Sequence, residues 1–175
     1  MKSKHYLILF LLLILAYFPI FSHLNTLPIR IWDESRLALN AYEMAQSGNL
    51  IVTSYEGEPD MWNTKPPLMI WMQAGLIKLI GLDELAIRLP SAIAVFFTCI
   101  TLFIFSLRYL KSFWLGIIGI LVLITSSGFV GFHTGRTGDY DAMLAFFIFS
   151  YCLFYYLFLE KGGVKYLYAF FAFLI

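Results

Sequence analysis

Residues 89–107 read LPSAIAVFFTCITLFIFSL, and no charge interrupts them until Arg108. A helix needs about 20 largely apolar residues to cross a hydrocarbon core of ~30 Å, and this run supplies them. Pro90 falls in the first turn, where a missing N–H costs nothing. Arg108 and Lys111 close the run. Upstream, residues 6–22 form a second such run behind Lys2 and Lys4. A cleaved signal peptide would be followed by an A-x-A-like site; none follows, so the run reads as a retained span. Downstream, residues 113–130 and 142–159 are two further spans, the latter stopped by Glu160, Lys161, Gly162 and Gly163. A fifth, partial run covers residues 166–175. Ten residues reach only ~15 Å, half the core, so the chain is expected to be the N-terminal portion of a longer protein.

Composition agrees. Of 175 residues, 61% are hydrophobic and 13% charged, against roughly 25% charged in soluble domains. Mean hydropathy is +0.80. These values exclude a water-soluble globule and a disordered chain. A net charge of +1 gives no basic face for nucleic acid. Cys99 and Cys152 both lie in apolar runs and form neither a disulfide framework nor a zinc site. The fold class is an all-α polytopic membrane protein.

Orientation follows Lys and Arg near the span ends. With the N-terminus inside, Lys2, Lys4, Arg108, Lys111, Lys161 and Lys165 crowd short cytoplasmic segments. The outer Lys and Arg residues are equal in number but mostly spread over the long 23–88 loop. The N-terminus is therefore placed in the cytoplasm.

That outer loop is about 65 residues long, and structureless loops of such length are uncommon. Leu37, Ala41, Met44 and Ala45 fall at helical spacing, with Gly48 placed to end the turn. Residues 33–47 read as a helix lying in the interface. Residues 51–55 are a short extended run, and Glu56-Gly57-Glu58-Pro59-Asp60 is a turn-rich acidic tip. Lys65-Pro66-Pro67 opens a second short helix over residues 67–80. The second outer loop, residues 131–141, reads GFHTGRTGDYD. The two loops thus place Asp33, Glu34, Lys65, Arg136, Asp139 and Asp141 on one face of the bilayer.

Each of these residues has two readings. Asp33 and Glu34 suit the positive end of a helix, or a general base taking a proton from an acceptor hydroxyl or amine. Asp141, at the head of a span, carries the same ambiguity, and Asp139 reads as solvated. Lys65 and Arg136 either neutralise local acids and headgroups or bind phosphate, Arg as a fork and Lys as a point charge. His133 is alone in its loop and reads as structural. No His/Cys/Glu spacing makes a metal site, and no HExxH, GxSxG, GxGxxG or Walker motif occurs.

Six features come in order: Asp33-Glu34 after the first span, Ala41–Gly48 in an AxxMAxSG-like pattern, Lys65-Pro66-Pro67-Leu68, Arg88-Leu89-Pro90-Ser91, Arg136-Thr137, and Asp141. Together they resemble the N-terminal part of the GT-C glycosyltransferases, in the branch of ArnT-like aminoarabinose transferases and protein O-mannosyltransferases. The resemblance covers about residues 6–160. It implies a GT-C-like transmembrane helix bundle with interfacial helices in the first outer loop. It also implies a bacterial inner-membrane glycosyltransferase with a polyprenyl-phosphate sugar as donor and a lipid A, glycan or protein acceptor on the extracytoplasmic side. Asp33, with Glu34 beside it, and Asp141 then match catalytic carboxylates. Lys65 matches a lysine linked to the donor phosphate, and Arg136 the loop arginine. The family's usual glutamate metal ligand directly before that lysine is Thr64 here. A divalent metal therefore has no assigned ligand. Two rival readings are a transporter or flippase, which needs ionisable groups at mid-membrane, and a non-catalytic membrane subunit.

Overall fold

The computed structural model describes residues 3–131 and 133–173. Lys2, Phe132 and the last two residues of the 166–175 run lie outside them.

Helix α1 (Ser3–Phe21) is followed by α2 (Asp33–Ser47), a hairpin of β1 (Ser54–Tyr55) and β2 (Glu58–Pro59), and α3 (Leu68–Ile80). Then come α4 (Glu84–Arg108), α5 (Phe113–Thr125), α6 (Ser127–Val130), α7 (Asp141–Lys161) and α8 (Val164–Ala172). By length and composition α1, α4 and α7 can each cross a membrane.

Helix α4 organises the rest. It starts earlier than the apolar run, at Glu84, because Asp83 accepts the Leu85 N–H and caps the first turn. Its membrane half packs on α1, α5 and α7 through Val95, Cys99 and Phe103 against Leu12, Ala16, Ile117, Ile120 and Met143. Glycines allow the close approach: a Cβ at Gly116 would lie 2.8 Å from Phe103 Cδ2, and small residues are what let helices pack tightly in lipid. Its N-terminal end, Ala86 and Ile87, joins a second core with Leu37, Ala41 and Met44 of α2 and Ile70, Ala74 and Ile77 of α3. Thus α2 and α3 form a juxtamembrane layer on the head of α4. The apolar faces left open, such as Phe10, Ile14 and Phe18 on α1 and Ile118 and Val122 on α5, suit lipid.

Two local details differ from the sequence expectation. The 113–130 run is not one helix: it breaks at Ser126, which adopts extended backbone (φ −78°, ψ 114°), and restarts as the short α6. The acidic tip at residues 56–60 is a hairpin turn at Glu56-Gly57 followed by its second strand. Glu56 (φ 56°) and Gly57 (φ 83°) both take the left-handed backbone that a tight two-residue hairpin requires.

Candidate active site

The site is built around two ion pairs. The first holds its two loops together. Arg88, in the N-terminal part of α4, donates from Nε to Glu34 Oε1 (2.7 Å) and from Nη2 to Oε2 (3.1 Å). The remaining N–H groups reach the carbonyls of Leu24 and Leu27 (both 2.7 Å) and Pro28 (2.9 Å). Glu34 also accepts the backbone N–H of Arg30 (2.8 Å) and Gly138 (2.9 Å). One buried carboxylate therefore binds the segment after α1, the head of α4 and the loop before α7. Burial opposes its charge, but Arg88 and the two backbone donors outweigh it and hold its pKa below the ordinary value.

The second pair fixes the hairpin to α2. Arg36 donates to both carboxylate oxygens of Asp60, at 3.0 Å and 2.6 Å. Asn40 and the Trp62 N–H also donate to Asp60. The Arg36 hydrogen bonds, with Asn40 and Trp62, pull the Asp60 pKa down to about 2. The Arg36 guanidinium lies over the rings of Tyr55 (4.3 Å) and Trp62 (4.7 Å).

Around these pairs the candidate residues occupy three neighbouring cavities. Lys65 and Asp141 meet in one. It is a slot of about 210 Å³ that continues along Met69, Met143, Leu144 and Phe147. The Lys65 ammonium lies 4.9 Å from the Tyr140 ring centre and 5.7 Å from that of Trp62, within cation–π range. Asp33 lines the other two. A polar cavity of about 250 Å³ is shared with Glu34, His133, Thr137 and Asp139. An aromatic cleft of about 310 Å³ is shared with Trp32, Arg36, Tyr55 and Trp62. Trp62 connects the cleft to the slot, because its ring faces both Arg36 and Lys65.

Glu34 is thus brought to the site but sealed under Arg88. Arg136 stands elsewhere: its guanidinium donates to the carbonyls of Pro19 (3.1 Å), Ser22 (2.8 Å) and His23 (3.4 Å), closing the end of α1.

Asp139 is not solvated, as its sequence context suggested, but 5% exposed. Its Oδ2 accepts the Thr137 hydroxyl (2.6 Å) and lies 3.5 Å from His133 Nδ1. Its Oδ1 has no hydrogen-bond partner among the described residues. Burial raises its pKa, against the Thr137 bond and His133, with Glu34 and Asp33 adding to the rise.

The sequence reading gave no role to Arg36, Asp60, Arg88 or Trp62. Arg36 lies three residues after Asp33, hence on the same face of α2, which is the one signal that points to it. Asp60 comes from a hairpin tip, and its pairing depends on tertiary packing.

Thr64 is exposed at the position of the family's glutamate ligand. Among the described residues no group of three or more His, Cys, Asp or Glu side chains could hold a metal ion.

Three comparisons bear on this arrangement. A family model described as dolichyl-phosphate-mannose-protein mannosyltransferase matches residues 64–174. An uncharacterized protein of Aquifex aeolicus is 28% identical over 162 residues, covering 92% of this chain and 31% of its own length. The crystal structure of ArnT from Cupriavidus metallidurans bound to undecaprenyl phosphate superposes with a TM-score of 0.75 at 16% identity, over 98% of this chain and 31% of that one. The chain therefore spans about a third of the length of these relatives, and its helices adopt the GT-C arrangement of the ArnT bundle.

Proposed function

The chain belongs to the dolichyl-phosphate-mannose-protein mannosyltransferase family, and from that premise we propose that it serves a membrane glycosyltransferase. The reaction moves a sugar from a polyprenyl-phosphate donor to a lipid, glycan or protein acceptor at the extracytoplasmic face. The observation that carries this reading is the slot joining Lys65 and Asp141 to an apolar wall of α3 and α7. A cation and an apolar wall sharing one slot are the two halves of a lipid-phosphate recogniser. ArnT, whose bundle this chain shares in part, was crystallised with undecaprenyl phosphate, which supports the same ligand class here.

In the proposed mechanism the acceptor hydroxyl or amine gives its proton to the Asp33 carboxylate. Its oxygen or nitrogen forms a bond to the anomeric carbon as the bond from that carbon to the phosphate oxygen breaks. The lipid phosphate leaves with the electron pair, and Lys65 stabilises the charge that develops on it. Asp141 lines the mouth of the slot and orients the acceptor or the sugar. Glu34 positions rather than reacts, because Arg88 and two backbone N–H groups occupy its oxygens. Arg136 supports the site by tying the second loop to α1.

Asp33→Asn and Lys65→Ala, assayed in membranes at matched folded protein, test the reading. Loss of a general base is expected to cost about 10²–10⁴ in rate, and loss of the lysine about 10–100-fold. Normal sugar transfer by both variants would contradict it.

A further inference from the structure

Of the aromatic cleft, sugar transfer as proposed uses only Asp33. Resting on the sugar-transfer reading, we propose that this cleft is a pyranose subsite, in which a sugar ring stacks on Trp32 and Trp62 beside Asp33.

Four observations converge. Trp32 is 78% exposed and Trp62 53%, so Trp32 offers an open ring face and Trp62 the part of its ring that the Arg36 guanidinium leaves uncovered, while the Asp33 carboxylate lining the same cleft accepts from sugar hydroxyls. Trp32 holds a backbone φ of 99°, a region that costs a bulky residue of order 1–3 kcal/mol and persists mainly at functional sites. The strain buys no burial. It keeps the indole at the N-terminus of α2, next to Asp33.

The third observation is rigidity. Arg36 is braced by Asp60 and lies over both Tyr55 and Trp62, so the rings are fixed before a ligand arrives, which favours binding. The fourth is continuity. Trp62 faces Lys65, so a sugar hung from a phosphate at Lys65 extends past Trp62 toward Asp33, where the proton acceptor is needed. Trp and Tyr that merely anchor a protein at the interface need neither the guanidinium brace nor the carboxylate.

The occupant is a pyranose ring supplied by the donor or by a sugar-bearing acceptor. The test titrates the purified protein with undecaprenyl phosphate and with undecaprenyl phosphate carrying single pyranoses, mannose first, and reads the ratio of the two Kd values. Ring stacking of this kind is worth up to about tenfold for two rings. The wild-type ratio is expected near tenfold, falling to about threefold in Trp62→Leu or Trp32→Gly alone and toward one when both are replaced. Trp62→Phe, which keeps a face, is expected in between. Trp32→Gly relieves the backbone, so it removes the ring without threatening the fold. An unchanged donor ratio with a several-fold rise in KM for a glycan acceptor would support the same subsite with the acceptor as source. If both the ratio and the acceptor KM ignore the two tryptophans, the subsite is overturned. Lys65→Ala separates this from failure of the parent reading: if it leaves both lipids bound as tightly as wild type, the donor site itself is wrong.

Discussion

At the scale of single residues, the charged groups divide into those that hold the site and those that face its cavities. Glu34 and Arg88 hold it. Glu34→Gln leaves a buried guanidinium without its counter-charge, which costs about 3–5 kcal/mol. A paired Glu34→Leu/Arg88→Leu variant should recover part of that loss, read as thermal unfolding in detergent; equal losses in both would mean the pair is not the lock described here. Asp60 carries a pH signature. Its folded pKa, about 2, lies below the ordinary 3.8, so its stabilisation is full above pH ~4 and drains as pH falls toward 2. Asp60→Asn is expected to unfold more readily at neutral pH and to lose that acid-dependent limb. An acid profile unchanged by the substitution would show that the limb arises elsewhere. The sequence placed Asp33, Glu34, Lys65 and Asp141 on one face because loop position alone decides that. It could not separate Glu34 from Asp33, since only the fold shows which of two adjacent acids meets Arg88. It misjudged Asp139 because hydrophilic neighbours do not report burial under a folded loop.

At the scale of elements, the long α4 positions the rest, and Gly138 of the loop before α7 seats directly on it. The N–H of Gly138 donates to Glu34, and its carbonyl accepts from Gln73 Nε2 at 3.1 Å. A Cβ at Gly138 would overlap Ile87 Cγ2 and lie 3.0 Å from the Ile87 carbonyl oxygen. Gly138→Ala should therefore destabilise by about 1–3 kcal/mol and lower sugar transfer together with stability. Wild-type thermal stability in that variant would mean the loop can move away from α4. The helical stripe of α2 was legible because its period is local: Leu37, Ala41 and Met44 are all buried. The break at Ser126 was half-legible: Ser126, Ser127 and Gly128 loosen the end of the run, but an apolar run does not show whether the backbone bends within it. The hairpin turn was half-legible, since Glu56-Gly57 signals a turn but not what the turn will touch.

At the scale of the whole molecule, a membrane bundle supports a juxtamembrane layer, and the slot of Lys65 and Asp141 opens where the two meet. Hydropathy made the bundle readable, and the ordered motifs pointed to the family. The three-cavity layout was not readable, because it depends on how α2, the hairpin and the 131–141 loop close over α4 and α7. The central claim is that Lys65 and the groove along α7 hold a lipid phosphate. A polyprenyl phosphate bearing a photoreactive group on its first isoprene units tests this most directly, with the labelled residues mapped by mass spectrometry. The label should fall on Met69, Met143, Leu144 or Phe147, be displaced by undecaprenyl phosphate, and drop sharply in Lys65→Ala. Label scattered over the lipid-facing surfaces of α1 and α5, with no dependence on Lys65, would contradict it.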